Sequence, residues 1–365
     1  MKTIEHLQIF DMVLTVRGPL HIGNGKFCDK KEYLYNSRNQ MVSFLNENRF
    51  FLFLAERGLT DAYESFMLAG TGNLYSFLRN ECGLRSNEIQ ALTRSTLSVA
   101  DALDENHSLK KIHTFMRSTC GQAYVPGSSL KGALRTAWLL GPILQDARPH
   151  ILPQPRPPFF EVPFPEEAYA NLLSFKQASE RDRKNAVNSI FRGVSIADSS
   201  PIADKSMILC SKSDAFTNGT VNSINTVCRE CVCPGTQIRF RVTLDQSLLH
   251  NRITRESLQK AVLQFDQYYQ ETYLSHFAAP KSAQALPSKP WLLLGGGAGY
   301  FSKTLSYPYL GPEKALPWVA DQLARKASHH KHEKDVQRGI SPHTVKYGQY
   351  HGQLYPFGAC EVSFQ

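Results

Sequence analysis

Residues 124–136 have the sequence Tyr-Val-Pro-Gly-Ser-Ser-Leu-Lys-Gly-Ala-Leu-Arg-Thr, and this stretch decides how the rest of the chain is interpreted. Its Pro-Gly pair predicts a turn, and Ser128 or Ser129 is expected to cap a helix that begins there. Backbone N–H groups at a helix start, with hydroxyls beside them, form an anion site. The stretch therefore predicts a helix whose first turn can bind a negatively charged group.

This predicted helix carries charge and apolar residues on opposite sides. Lys131 and Arg135 are four residues apart, so they share one face. An apolar stripe that begins at Leu130 lies opposite them, and Gly141-Pro142 predicts the end of the helix. Two interpretations stay open: the basic face binds phosphates, or it is the solvated side of an ordinary surface helix.

A second motif is glycine-rich, with the sequence GGGAGYFSKT at residues 295–304. Glycines let a backbone approach a ligand closely, and Tyr300 or Phe301 would stack on bases. The spacing fits neither a Walker A loop nor a dinucleotide-binding fingerprint. A tight turn without a ligand is the alternative. The predicted RNA-binding residues of this loop are Gly295, Gly296, Gly297, Gly299 and Lys303.

A third motif, GPLHIGNG at residues 18–25, follows a predicted first strand at residues 7–16. In a ribonuclease, His21 would serve as a general acid or base. Nothing in the sequence links a second catalytic group to it, and a single histidine more often packs or forms a hydrogen bond. We therefore predict that His21, Gly23 and Gly25 form another loop that approaches RNA.

Metal and cofactor motifs are weak in this chain. Cys228, Cys231 and Cys233 lack the second cysteine pair that a structural zinc site needs, so we interpret them as small buried side chains. The histidine-rich residues 329–332 lie in a charged run typical of a solvated, mobile loop. Asp198 is a single carboxylate. No metal, cofactor or catalytic residue is predicted.

Composition points to a soluble chain with a polyanionic partner. The 365 residues include 41 Lys and Arg against 32 Asp and Glu, and 42% are hydrophobic. A basic excess favours nucleic acid, because each neutralised phosphate releases counterions. No apolar run approaches the ~20 residues that span a bilayer. Eight scattered cysteines and no signal-peptide pattern predict a cytoplasmic location.

Strand and helix patterns alternate irregularly, which predicts an α+β fold. Residues 236–244 alternate as the cleanest strand, and residues 257–276 have a helical pattern. We predict two halves, residues 1–245 and 246–365. The first half would contain a helical insertion at about 57–118 and a proline-rich insertion at about 149–165.

Taken together, these pieces resemble the RAMP superfamily of CRISPR-associated proteins, and within it the fifth Csm subunit of type III-A effector complexes. The resemblance rests on residues 18–25, 124–136 and 295–304, and on the ending at residues 340–346 and 356–360. The segments occur in the family's order and span nearly the whole chain. The string from Pro126 to Thr136 is fairly specific, whereas the glycine loops alone are not.

The resemblance implies two ferredoxin-like, RRM-like modules, the second degenerate, with helical and loop insertions. It implies a non-catalytic subunit that caps the complex at the 3′ end of the guide RNA and supports guide maturation and antiviral defence. Its partners would be guide RNA, the adjacent backbone RAMP subunit and other Csm subunits, with the small subunit and recruited host nucleases left open. We cannot map the family's RNA-cleaving aspartate onto this chain.

Two alternatives remain at this point. The chain is an endoribonuclease of the same superfamily that processes precursor guide RNA through His21, or it occupies another RAMP position, such as the cap at the 5′ handle. The second alternative keeps the fold and changes the contacts. Cleavage of guide RNA by the isolated protein, lost in His21→Ala, would favour the first.

Overall fold

The computed structural model describes residues 6–99, 101–102, 109, 111–147, 167–170, 186–327 and 330–365. Strands and helices are mixed along these residues, as the α+β prediction requires. The strands are β1 (Leu7–Val16), β2 (Gly23–Cys28), β3 (Tyr33–Asn36), β4 (Met41–Leu45), β5 (Thr93–Ser98), β6 (Lys111–Phe115), β7 (Val194–Ile196), β8 (Met207–Phe216), β9 (Val221–Val232), β10 (Gln237–Asp245), β11 (Trp291–Leu293), β12 (Thr344–Tyr350), β13 (Gln353–Pro356) and β14 (Ala359–Phe364). The helices are α1 (Glu47–Glu56), α2 (Thr60–Leu68), α3 (Leu74–Ser76), α4 (Ser86–Ala91), α5 (Gly127–Leu144), α6 (Glu167–Ala170), α7 (Gln246–Leu249), α8 (Arg255–Thr272), α9 (Ser306–Leu310), α10 (Pro312–Lys326) and α11 (Asp335–Arg338).

The first sheet has five antiparallel strands in the order β11-β14-β1-β10-β7. Its two long strands show the predicted alternation: Met12 and Leu14 of β1 are fully buried, while Arg239 and Arg241 of β10 are exposed. Leu14 lies opposite Ile238 in the register of the pair. One face of this sheet therefore forms the floor of the main core, on which α5 and α8 pack.

The second sheet has nine strands, in the order β2-β6-β9-β8-β5-β4-β3, with β12 paired to β8 and β13 paired to β12. Strands β5 and β8 are parallel, as are β6 and β9, and the other pairs are antiparallel. Strands β3 and β4 form a hairpin, with Tyr33 opposite Phe44. The long strands β8 and β9 cross the middle of this sheet.

A helical segment connects two neighbouring strands of the second sheet. Strand β4 pairs antiparallel with β5, and the N–H of Asn46 donates to the carbonyl of Leu92 at 2.8 Å, so residues 46–92 leave and re-enter the sheet at one point. This segment has its own core around Phe66 and Phe77, whose rings stack 4.8 Å apart. We call residues 46–92 the helical segment.

The helical pattern predicted for residues 57–118 differs from the observed structure at both ends. Helix α1 already begins at Glu47, with Asn46 as its cap, and the helices end at Ala91. Beyond them, Thr93–Ser98 and Lys111–Phe115 are strands. Alternate burial of Ser95 and Leu97 shows the two-residue period of a strand, which the sequence interpretation missed.

Helix α5 is longer than predicted. It continues through Pro142 to Leu144, so the prediction that Gly141-Pro142 ends it is wrong. Proline in the last turn removes one backbone donor, and the N–H of Gln145 still bonds to the carbonyl of Gly141 at 3.2 Å. Burial of the apolar side of this turn, including Ile143, outweighs that loss.

The residues after position 246 do not form a sheet of their own. They contribute β11 and β14 to the first sheet, and β12 and β13 to the second. The division into residues 1–245 and 246–365 stays a prediction about chain segments. The proline-rich insertion predicted at residues 149–165 lies outside the described residues.

Candidate nucleic-acid interface

The start of α5 is held against the loop that follows β7. A β-carbon at Gly127 would lie 2.1 Å from the carbonyl oxygen of Ile196, so only glycine fits there. The N–H of Gly127 donates to Oδ1 of Asp198 at 2.9 Å. The carboxylate of Asp198 therefore caps this helix, and the predicted serine cap is wrong, since no side-chain cap bond comes from the helix's own N-terminal residues.

This cap changes how the predicted anion site works. The carboxylate of Asp198 already provides the negative charge that stabilises the helix start. Ser128 is exposed and Ser129 is half-buried, so their hydroxyls remain beside the first turn. Lys131 is half-buried on the same helix, and burial, together with the charge of Arg135, lowers the pKa of its ammonium group. Arg135 is exposed.

The glycine loop packs directly on the early loop. The N–H of Gly296 donates to the carbonyl of His21 at 2.8 Å, and a β-carbon at Gly295 would lie 2.1 Å from that same oxygen. Gly297 has a φ of 95° and adjoins the ring of Phe357, which is fully buried. Gly295 and Gly297 are thus explained by packing and backbone conformation alone.

The structure brings the first two motifs into one groove. Ser128, Ser129 and Gly132 of α5 line one side of a concavity of about 350 Å³, and Gly295 and Lys303 line the other. Desolvation lowers the pKa of the Lys303 ammonium group. We call this concavity the α5 groove. It combines two hydroxyls, glycine backbone and an ammonium group, which is a donor set suited to phosphate oxygens.

His21 lies beneath this arrangement and is buried, with 4% of its surface exposed. Its Nδ1–H donates to the carbonyl of Glu230 at 2.7 Å. Burial lowers the pKa of the imidazole to about 4, so the ring is neutral at physiological pH. His21 holds the loop in place, and it is poorly suited to exchange protons with a substrate. Gly23 and Gly25 of the same loop are exposed.

A basic cleft beyond the glycine loop was missed by the sequence interpretation. It has a volume of about 600 Å³, and Lys212 and Lys346 share one carboxylate within it, that of Asp214. The Nζ of Lys346 lies 2.8 Å from Asp214 Oδ1, and that of Lys212 lies 3.9 Å away. Burial, followed by the charge of Lys346, lowers the pKa of Lys212 to about 8. The other basic or aromatic side chains that line the basic cleft are Phe216, Tyr300, His330, Lys331, His332, Arg338 and His343.

The glycine loop separates the α5 groove from the basic cleft. Lys303 faces the groove, Tyr300 faces the cleft, and Gly299 adjoins the side chain of Lys346. Phe301 is buried, with its ring stacked 4.6 Å from that of Tyr273, so the prediction that it stacks on bases is wrong. The ending at residues 340–346, used above only for the resemblance, was the available signal for the cleft.

The described part of the predicted mobile histidine loop is ordered. His329 lies outside the described residues, but His332 is buried and its Nδ1 lies 2.9 Å from Oδ2 of Asp335. His343 and Ser341 also donate to this carboxylate, at 2.6 and 2.8 Å. These bonds hold the pKa of Asp335 far below its usual range in spite of burial. His332, Asp335 and His343 are close enough to hold a cation, yet the surrounding protein donors already satisfy the carboxylate.

The cysteines pack as apolar side chains. Cys228 belongs to the main core, whereas Cys210 and Cys231 lie in a separate buried cluster with Phe357. Cys233 packs at the edge of that second cluster. Because Cys228 and Cys231 lie in different clusters, the three cysteines near residue 230 do not converge on one point.

The comparison with protein families decides the assignment. The model of the RAMP superfamily matches residues 13–300. The chain belongs to the RAMP superfamily. The match includes the early loop, the whole of α5 and most of the glycine loop, so the family's sequence pattern runs through both sides of the α5 groove. Within the described residues, no helix of this RAMP protein is both long and apolar enough to cross a membrane.

Curated relatives share much of the chain at moderate identity. The chain is 29% identical over 304 residues to "CRISPR system Cms protein Csm5" of Streptococcus thermophilus, which covers 81% of this chain and 80% of that protein. It is 27% identical over 351 residues to the protein of the same name from Enterococcus italicus, with 87% and 86% covered. Proteins of that name from Mycobacterium tuberculosis are 28% identical over 269 residues, with 71% and 68% covered.

Solved structures show the same fold at low identity. A chain of a Csm–crRNA–target RNA ternary complex of a type III-A CRISPR-Cas system superimposes with a TM-score of 0.66 at 17% identity, covering 97% of this chain and 100% of that one. The crystal structure of Csm5 from T. onnurineus gives a TM-score of 0.57 at 16% identity, with 96% and 99% covered.

Proposed function

We propose that this chain is the Csm5 subunit of a type III-A CRISPR effector complex, where it binds guide RNA and contacts the neighbouring Csm subunits. The observation that carries the proposal is the α5 groove, in which two separate motifs of a RAMP protein supply hydroxyls, glycine backbone and a lysine to one concavity. Its curated relatives bear the Csm5 name over most of both chains. Guide RNA would lie along the groove and the basic cleft, held mainly by its phosphates.

The role in this proposal is non-catalytic. His21 is the residue on which an endoribonuclease would depend, and it is buried, hydrogen-bonded to a backbone carbonyl and neutral. A general acid or base needs both access to the substrate and a pKa near the working pH. We therefore favour a subunit that positions RNA at the 3′ end of the guide and supports its maturation. A location in the cytoplasm agrees with this role.

Two finer points of fold belong to the proposal. The first is that the chain consists of two ferredoxin-like, RRM-like modules, residues 1–245 and 246–365, with the second degenerate. The second is that the helical segment is an insertion into the first module. The hydrogen bond between Asn46 and Leu92, where the chain leaves and re-enters the sheet, supports this second point.

The primary test is purification of the tagged chain from its native host, followed by sequencing of bound RNA and identification of bound proteins. We expect short CRISPR repeat–spacer RNAs together with Csm-type subunits. Recovery of the chain without RNA or Csm partners would contradict the proposal. In that case, nuclease assays on the isolated protein, with His21→Ala as the comparison, would test the endoribonuclease alternative.

The basic face of α5, the helix that lines the groove, is tested with charge variants of the reconstituted complex. Lys131→Ala with Arg135→Ala should weaken RNA binding. It should also reduce the magnitude of the negative slope of log K against log salt by roughly one to two. The control is Lys260→Ala with Lys314→Ala, which removes the same charge from two exposed positions outside α5. An equal effect of both pairs would show that only the overall charge matters and that α5 does not contact the RNA.

A further inference from the structure

A third concavity lies between the helical segment and the second sheet, away from the α5 groove and the basic cleft. It encloses about 440 Å³ and opens to solvent beside β2. Helix α1 and Tyr63 of α2 form one wall, and strands β2, β4, β5 and β6 form the others. We call it the aromatic pocket. Its lining residues used below are Asn24, Lys26, Phe27, Glu32, Phe44, Glu47, Phe51, Tyr63, Arg94 and Arg117.

Two arginines line this pocket with donors left unused. The side chain of Arg117 is only 7% exposed, and its NH2 donates to Glu230 Oε1 at 3.0 Å. Arg94 lies with its guanidinium 5.5 Å from the ring of Phe44. In the described part of the chain, the Nε atoms of both arginines are buried and have no hydrogen-bond acceptor. The Nε atoms are too deeply buried to be reached from the pocket, but the side chain of Arg94 is 23% exposed, so its terminal N–H groups can donate to a ligand that supplies acceptors.

Exposed aromatic rings stand at the mouth of the pocket. Phe27 is 45% exposed and Phe51 is 53% exposed, and both line the pocket. The ring of Phe51 meets that of Tyr63 edge-on at 5.9 Å, and the ammonium group of Lys111 lies 3.3 Å over the ring of Phe27. Lys111 covers one face of Phe27, so a planar ligand would stack on the exposed remainder of that ring and on the ring of Phe51.

The charges of the pocket disfavour a phosphate group. Lys26, Arg94 and Arg117 provide three positive charges. Glu32 and Glu47 line the pocket, the buried Glu230 bonds to Arg117, and Asp204 lies 3.5 Å from the same guanidinium group, so carboxylates offset these positive charges. A ligand in this pocket therefore needs both hydrogen-bond acceptors, for the arginines, and donors, for the carboxylates, on a flat ring without net charge. The edge of a nucleobase has this composition.

We propose that the aromatic pocket binds one unpaired nucleobase of the RNA carried by this subunit. The inference rests on the proposed function, because it takes its ligand from the same RNA. Asn24 and Lys26, which line the pocket, alternate along β2 with the exposed Gly23 and Gly25. An RNA backbone that passes over these glycines would bring a base to the pocket mouth, where Phe27 and Phe51 can stack on it.

The first experiment locates the base by photocrosslinking in the assembled ribonucleoprotein. A single 5-iodouridine is placed at successive positions of the guide RNA, and crosslinked peptides are identified by mass spectrometry. We expect crosslinks to Phe27 or Phe51 from one position and its immediate neighbours. Crosslinks from many positions, or from none, would overturn the inference.

The second experiment measures affinity at the position so found. An abasic nucleotide there should weaken binding about fivefold or more, as should Phe27→Leu with Phe51→Leu, because base–aromatic stacking is lost. The losses of affinity caused by the abasic nucleotide and by the double variant should not be additive, because both changes remove the same contact. Leu52→Ala is the matched control, because Leu52 is 60% exposed on the same helix as Phe51 and does not line the pocket. Phe27 and Phe51 are largely exposed, so folding is expected to survive.

The outcomes separate this inference from the proposed function. If the Lys131 and Arg135 variants weaken RNA binding while the abasic nucleotide and the phenylalanine variants do not, the pocket inference fails and the proposed function stands. If no RNA is recovered with the chain, the proposed function fails first. If the phenylalanine variants weaken assembly with a neighbouring subunit at unchanged RNA affinity, the pocket receives a protein side chain, which also overturns the inference.

Discussion

Two glycines of α5, Gly127 and Gly132, differ in how much space surrounds them. A β-carbon added at Gly127 would lie 2.1 Å from the carbonyl oxygen of Ile196. A β-carbon added at Gly132 would have no other atom within 4 Å. One helix thus contains a glycine that packing requires and another that packing does not require.

We predict that Gly127→Ala lowers the free energy of unfolding by about 3 kcal/mol, because a backbone carbonyl cannot move aside as a side chain can. Gly132→Ala is the control and should raise it by about 0.5–1 kcal/mol, since alanine in a helix interior loses less backbone entropy on folding. Urea denaturation of both variants measures the difference. Similar values for the two would contradict the tight contact at the start of α5.

His21 makes stability depend on pH. Burial lowers its pKa from 6.5 to about 4, so the unfolded chain binds its proton more tightly than the folded chain. The contribution of this residue is therefore complete above pH 6.5 and is lost as the pH falls towards 4, by roughly 3 kcal/mol at most. Chemical denaturation at pH 7.5 and pH 4.5 should show the decline.

His21→Asn is the comparison for this prediction, because an amide can still donate to the Glu230 carbonyl without titrating in this range. Carboxylates titrate in both proteins. The difference between the pH profiles of the two proteins' stability therefore reports the contribution of the histidine. Equal pH profiles for the two proteins would mean that the imidazole is accessible to solvent. The acid–base role in RNA cleavage would then need to be considered again.

At the scale of elements, the glycine loop joins two surfaces with different chemistry. The α5 groove offers hydroxyls and Lys303, and the basic cleft places two lysines around one carboxylate. An RNA strand that crosses the loop can use both, which predicts that their contributions to affinity are separable.

In the basic cleft, RNA affinity should fall as the pH rises above 8. Burial and the charge of Lys346 lower the pKa of Lys212 to about 8, so its ammonium group loses its proton in this range when no anion is bound. A nearby phosphate favours the charged form and raises that pKa, so binding takes up a proton. Affinity measured from pH 7 to pH 9.5 should therefore decline in the wild type.

Lys212→Arg keeps its charge over this whole range and should bind RNA with a flatter pH profile. Lys212→Met should bind more weakly at pH 7 and also show a flat profile. A decline of equal size in all three proteins would place its origin elsewhere and remove Lys212 from the RNA contact.

At the scale of the whole molecule, the helical segment is the part that is easiest to separate. It has its own buried cluster, and its ends meet at the bond between Asn46 and Leu92, across the neighbouring strands β4 and β5. Strand β14 is the opposite case, since it lies between β1 and β11 in the first sheet although it is far from β1 in sequence.

We predict that replacing residues 47–91 with a two-residue Asn-Gly turn leaves a folded chain. Strands β4 and β5 are antiparallel neighbours that such a turn can join. The melting temperature should fall by only a few degrees, because the main core is unchanged and only the small contact surface on β3 and β4 becomes exposed. Loss of cooperative unfolding would show that the segment is needed for the rest of the chain to fold.

Local patterns were sufficient for several elements and for the family. The two-residue alternation predicted the burial of β1 and β10, and the string from Pro126 to Thr136 predicted α5 and indicated the RAMP superfamily. The same approach failed where a residue distant in sequence determines a local feature. The cap of α5 is Asp198, 71 residues from Gly127, so the residues around Gly127 do not indicate it.

The sequence by itself determined the α+β class, the two long strands of the first sheet, helices α5 and α8 and the resemblance to RAMP proteins, because periodicity, turns and motifs act between residues close in the chain. Only the tertiary structure decided what the motifs do. It placed His21 beneath the glycine loop, it brought Ser128 and Lys303 into one groove, and it paired Lys212 with Lys346 across a single carboxylate. Burial and charge at these places depend on chain segments more than a hundred residues apart, which no local pattern contains.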